Sequence, residues 1–273
     1  MGTREQHGAG RAPGLRAARR TSISALAAFC CAAVLTATLT VVQAPSASAT
    51  SETRPPSPPG DTDAVATPYG PLGKWMLQID CQYPDNCGIS NWLGHPYKGN
   101  TLYEPINVIL VDKSSSTQDE AIEKLGKDMK AAGFPARIGH TNGYHALLPD
   151  AHGTPTPHGQ QPSASDHAFA DAWFFAPLID HGRVFGPTRT GDGYVWTAAL
   201  SAEKPGIYID PDGRPSFTHD YASFKDARNK LCADMTASGA GRCGFPVDMK
   251  NEYNEGSITT GDHDGRAAVI ELR

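Results

Sequence analysis

Acidic and imidazole side chains stand next to each other at four places in this chain: Asp166-His167, Asp180-His181, His219-Asp220 and Asp262-His263-Asp264. Imidazole with carboxylate is the pairing used to move protons in general acid–base catalysis and to hold transition metals. Sequence neighbours do not make such a pair by themselves. Along a strand, adjacent side chains point to opposite faces, and on a helix residues one apart also diverge. A working site therefore needs a histidine and an acid from different elements. The candidates for catalysis are His181, Arg183, His219 and Asp180. In the stretch "IDHGRVFGP", His181, Arg183 and Phe185 share one face of an extended chain and Val184 takes the other. An imidazole beside a guanidinium suits an anionic ligand or the charge that develops in ester hydrolysis.

A second candidate for anion binding is "DKSSST". It joins the end of a buried strand to the start of a helix, where free backbone N–H groups favour phosphate or carboxylate. Lys113, Ser114, Ser115 and Ser116 would supply the contacts, with Arg183 as a further ligand-binding residue. The plainer reading is that these serines and Thr117 cap the helix and Arg183 pairs with a surface acid.

Other chemistries lack their signatures. There is no G-x-S-x-G, no phosphate-cradling P-loop and no H-E-x-x-H, and the closest histidine pair, His140 and His145, spans a turn. "DPDG" and "DHDG" resemble the start of a calcium loop, but Tyr221 and Arg273 stand where its twelfth-position glutamate belongs. The expectation is no metal and no cofactor, with turn and strand-end chemistry for most of the Asp–His neighbourhoods.

The elements that must carry these residues are legible in part. "INVILVD" (106–112) reads as a strand buried on both faces. Thr117 and Glu120 form a capping box, Ile122, Leu125, Met129 and Ala132 lie on one stripe, and Gly133 closes the helix. Strand followed by helix predicts at least one parallel pair. "FPARIGH" and "GYHALL" read as a hairpin around Asn142-Gly143, and residues 149–166 as a long exposed loop. "HAFADAWFF" reads as a short helix or irregular segment. "HGRVFG" pairs with "GYVWTAALS". A second helix covers about 221–236, capped by Asp220, with Phe224, Leu231 and Met235 inward, and "GRAAVIELR" is a final strand. The fold class is α/β: a mixed sheet with two main helices, in a single disulfide-stabilised domain after a signal peptide.

The ends place the protein. Residues 1–49 combine five arginines, the apolar run "ISALAAFCCAAVLTATLTVV" and the small-residue site Ala47-Ser48-Ala49, the layout of an export signal. Arg19-Arg20 leaves the choice between general and twin-arginine export open. Residues 50–69 are a Pro/Ser-rich linker, and 70–273 form the domain. Residues 1–49 hold five of the 24 basic residues and one of the 29 acidic ones. The remainder has 19 basic and 28 acidic residues, a net of about −9 with neutral histidines. That excludes a general nucleic-acid binder, which needs a basic surface. After cleavage no membrane span is expected. Cys81, Cys87, Cys232 and Cys243 remain, an even count that reads as two disulfides in an exported chain. Three pairings are possible, and the sequence-local one, Cys81–Cys87 with Cys232–Cys243, is favoured.

"EPINVILVD", the capped helix ending "AGF", "DAWFF", "HGRVFGP", "VWTAALS" and "TH" before the second helix resemble, in that order, the LssY C-terminal domain family over about residues 104–232. The resemblance implies an α/β domain found alone or attached to membrane proteins of the bacterial envelope, and it carries over no catalytic residues. This chain departs from it in its export signal and its flanking cysteines. The sequence thus points to a secreted domain that binds an extracellular or cell-envelope ligand without catalysis. The alternative is an exported hydrolase, for example of phosphoesters, with a His/Asp/Arg site.

Overall fold

The computed structural model describes residues 64–78, 88–163, 166–191, 193–209 and 212–273. The expected export signal and the expected Cys81–Cys87 pairing lie outside the described residues. Strands dominate. The first four are β1 (Ala64–Thr67), β2 (Gly70–Gly73), β3 (Asn91–Tyr97) and β4 (Asn100–Tyr103). Then come β5 (Val108–Asp112), α1 (Gln118–Ala131), β6 (Ala136–Ile138), β7 (His145–Pro149) and β8 (Pro155–Gln161). The middle of the chain is β9 (His167–Ala170), β10 (Ile179–Thr190), β11 (Gly193–Ile209) and β12 (Pro215–Ser223). Last are α2 (Phe224–Ser238), β13 (Gly241–Cys243), β14 (Val247–Asp248), β15 (Asn254–Glu255), β16 (Ile258–Thr259) and β17 (Arg266–Leu272).

The main sheet runs β13-β17-β5-β11-β10-β8-β7, with β12 added to β11 and β9 to β10. It is mixed: β5 pairs parallel with β17 and antiparallel with β11. The alternation of β5 explains why the run is almost wholly apolar. Val108 and Leu110 face the helix side, with Leu125 and Met129 of α1 and Leu231 and Met235 of α2. Ile109 and Val111 face the opposite layer, with Leu72, Met76, Leu148 and Met249. Both faces of the strand are covered, so no position on it is left for a polar residue until Asp112.

The helices start and stop where their chemistry dictates. Thr117 and Glu120 make a reciprocal capping box on α1. Its buried face is Ala121, Leu125 and Met129, with Ala132 just beyond; Ile122 is only half-buried. The cap of α2 is Ser223, not Asp220, and its Oγ accepts from the Asp226 N–H at 2.8 Å. Gly239, at φ 74°, ends α2 in the left-handed conformation a side chain disfavours. Cys232 on α2 is joined to Cys243 on β13, with the Cα atoms 5.8 Å apart.

Four expectations are corrected. Residues 64–69, read as the end of the linker, form β1 and its turn into β2. β6 and β7 do not form a hairpin around Asn142-Gly143: β6 pairs with β9 and β7 with β8. The stretch 149–166, read as a loop, contains β8, and in "HAFADAWFF", read as a short helix or irregular segment, His167–Ala170 is a strand and the rest is irregular. Pro155 and Pro157 are tolerated in β8 because, among the described residues, they pair with β7 on one side alone; β8 meets β10 just at Gln160 and Gln161.

Candidate functional site

Where β10, β11 and β12 run side by side, three side chains meet. His181 comes from β10, Glu203 from β11 and His219 from β12. All three are buried. One Glu203 oxygen is hydrogen-bonded to His181 Nε2 and also accepts the Ser201 hydroxyl at 2.8 Å. The other lies 3.0 Å from His219 Nδ1. The two imidazole centroids are 6.3 Å apart, so one carboxylate bridges both. Register accounts for the meeting: His181 is opposite Ser201, Pro205 opposite His219, and a shift between Ala202 and Glu203 intervenes.

Further contacts fix the rings. His219 Nε2 is 2.7 Å from the Phe174 carbonyl. A carbonyl only accepts, so this nitrogen carries hydrogen and Nδ1 is left to face Glu203. The Phe174 ring lies against the imidazole with centroids 4.1 Å apart. His140 stacks on His181 at 4.8 Å. Nδ1 of His181 is buried and has no hydrogen-bond partner among the described residues.

This cluster lines a cavity of about 290 Å³ that also receives His140, Arg183, Glu104 and Phe217. Arg183 donates from Nε to the Thr141 carbonyl at 3.1 Å and its guanidinium lies over Tyr144. Nη1 is 4.0 Å from Glu104. Gly182, between His181 and Arg183, has to be glycine: a Cβ there would sit 2.6 Å from the Ala199 carbonyl oxygen and from Leu200. That close approach seats β10 on β11.

Burial and neighbours set the charges. Burial alone would raise the Glu203 carboxyl, but His181 and then His219 overcome it and hold it below the usual carboxylate range. Burial works against the charged form of His219. The hydrogen bonds to Glu203 and the Phe174 carbonyl outweigh it and raise its pKa. Burial, then the neighbouring His181 and Arg183, push His140 down to about 3, so that ring is neutral. Burial raises Glu104 despite the nearby Arg183.

The structure separates the other sequence candidates from this site. Asp180 points away from His181: its backbone N–H is 2.9 Å from Asp171 Oδ1, and burial followed by the Asp171 charge pushes its carboxyl up to about 6. It is not the acid that orients His181. The "DKSSST" donors are already in use. Ser114 gives its N–H and its hydroxyl to Asp112 at 2.9 and 2.7 Å, and Ser115 also bonds Asp112. Ser116 N–H donates to Glu120 at 2.8 Å, and Lys113 lies 3.5 Å from Glu271. The anion site expected at Lys113 and Ser114–Ser116 is a self-contained capping turn, and only Arg183 of that set reaches the cavity.

Asp262, His263 and Asp264 each do a structural job. Asp262 accepts the Phe224 N–H at 2.8 Å at the start of α2. His263 is hydrogen-bonded to Asn251 at 2.7 Å in the interior. Asp264 takes a two-point contact from Arg228 at 2.6 and 3.0 Å. Asp166 and His167 form a contact at 3.2 Å, with the aspartate exposed. Sequence reasoning missed Glu203. The strand reading stopped at Ser201; carried two residues further, it puts Glu203 on the face of Ser201.

Chemically, two imidazoles and a carboxylate can relay protons or ligate a metal. Among the described residues their ligand atoms are the group that could hold an ion, all within 4.8 Å of one another. No helix among the described residues is long and apolar enough to cross a membrane. No family model matches the chain, and no curated protein or solved structure matches it.

Proposed function

We propose that the chain is an exported hydrolase acting on small anionic esters, phosphoesters foremost, in the cavity bounded by His181, Glu203, His219 and Arg183. One observation carries this reading: a single buried carboxylate joins two imidazoles at the wall of a cavity that also presents a guanidinium. In hydrolysis, water adds to the ester and loses a proton to the imidazole–carboxylate set. The same set returns a proton to the leaving oxygen, so the group ends as it began. Arg183 stabilises the negative charge that develops on the ester. Among the described residues the cavity lining holds no serine or cysteine, and in this reading water is the nucleophile. The export signal expected over residues 1–49 would put this activity outside the cytoplasm.

A second reading, a non-catalytic binding domain, is favoured by the cavity's surroundings. Phe175 and Phe217 are each 73% exposed and contact each other, and Ile207 stands across from Phe217 on the β11–β12 ladder. Such a rim suits a ligand with an apolar portion.

The test is a substrate panel with the mature protein: aryl phosphomonoesters, phosphodiesters, carboxylic esters and a neutral glycoside as control. Turnover of anionic phosphoesters supports the proposal. Saturable binding of the same compounds without turnover favours the second reading.

A further inference from the structure

We propose that His181, Glu203 and His219 form a binding site for one divalent transition-metal ion of the zinc class. The argument begins with hydrogens. The Phe174 carbonyl takes the Nε2–H of His219, so in the neutral ring Nδ1 presents a lone pair. That lone pair faces a Glu203 oxygen at 3.0 Å. Two lone pairs at this distance repel unless a cation lies between them, either a proton or a metal ion. On its other side Glu203 Oε1 is hydrogen-bonded to His181 Nε2.

The donor chemistry fits such an ion. Two imidazole nitrogens and one carboxylate oxygen are borderline donors that suit zinc and its neighbours rather than magnesium or calcium. Three protein donors with a cavity beside them leave a coordination position for water or substrate, the pattern of catalytic rather than closed structural zinc. Ligands of one tetrahedral ion stand about 3.3 Å apart. The His219–Glu203 separation is already close to that, and the donors, all within 4.8 Å of one another, would have to close by side-chain rotation around the ion.

The outer contacts match as well. Metal-bound histidines donate their other N–H to a carbonyl, as His219 does to Phe174. The ligating carboxylate is itself hydrogen-bonded, as Glu203 is by the Ser201 hydroxyl at 2.8 Å. Bound to a metal of charge +2, the single carboxylate leaves a net positive centre beside Arg183; this deepens the reading of an anionic substrate, rests on it for that point alone, and would move the activation of water from the imidazole–carboxylate set to the open metal position.

The experiment uses tag-free mature protein, stripped with chelator and titrated with zinc by calorimetry, with elemental analysis of untreated material. The expected result is about one zinc per chain for the wild type and loss of the site in Glu203→Gln and His219→Ala. Ser201→Ala, which leaves all three ligands in place and guards against a folding failure, should weaken binding roughly tenfold. Wild-type protein that takes up no zinc, or variants that bind as tightly as the wild type, overturns the inference. The readout needs no substrate. Zinc bound without turnover would remove the hydrolase and keep the metal site; turnover by zinc-free protein that chelator leaves unchanged would remove the metal site and keep the hydrolase.

Discussion

Glu203 and His219 face each other across 3.0 Å from neighbouring strands, while the same carboxylate holds His181 with its second oxygen. Three strands thereby contribute one residue each to a single buried centre. Removing one partner leaves the others buried without compensation, which is costly in a protein interior. The arrangement depends on how closely β10 lies on β11.

Gly182 sets that distance. Gly182→Ala introduces a methyl 2.6 Å from the Ala199 carbonyl oxygen and from Leu200. The strands must move apart, at a cost of roughly 1–3 kcal/mol. Because His181 and Arg183 flank the glycine, turnover should fall by more than the loss of folded protein explains. Urea denaturation with rates per folded molecule checks this. An alanine variant of unchanged stability would contradict the packing described.

The pH dependence of stability should carry the mark of His263. Burial, then the Arg228 charge, push this imidazole down to about 4 from an ordinary 6.5. Its folded pKa is below the unfolded one, so the unfolded chain takes up the proton first. The resulting stability is whole above about pH 6.5 and is lost as pH falls through 4. Urea midpoints across that range should decline in the wild type and decline less steeply in His263→Asn. Parallel profiles would show that His263 is not buried neutral.

The Cys232–Cys243 bond closes a loop of sequence separation 11 between α2 and β13. A loop of that size is worth roughly 2–3 kcal/mol. The double substitution Cys232→Ser with Cys243→Ser should lower the urea midpoint accordingly, and reductant should have the same effect on the wild type. Insensitivity of the wild type to reductant would mean that the bond is not formed or not stabilising.

The sequence made some of this visible, and the reason differs from residue to residue. β5 and α1 were legible because an unbroken apolar run and a capping box are local signals. The shared face of His181 and Arg183 follows from strand alternation alone. Glu203 was not legible: its partners lie 22 residues before it and 16 after it in sequence, and the register shift beside it belongs to a ladder no local pattern encodes. Asn142-Gly143 signalled a hairpin, but the turn signal does not choose partners. β6 found β9 and β7 found β8 through long-range pairing. β8 stayed hidden because Pro155, Pro157 and Gly159 read as breakers, which they would be in a strand flanked on both sides along its whole length.

The central claim is that the carboxylate between the two imidazoles does chemistry. Its most direct test is the initial rate of the mature protein on its best anionic ester, wild type against Glu203→Gln, with a cooperative urea transition confirming that the variant is folded. The account predicts a loss of at least about a hundredfold in kcat/KM for the variant, the scale on which a positioned acid–base group contributes. A folded Glu203→Gln protein that turns the ester over at the wild-type rate would contradict it.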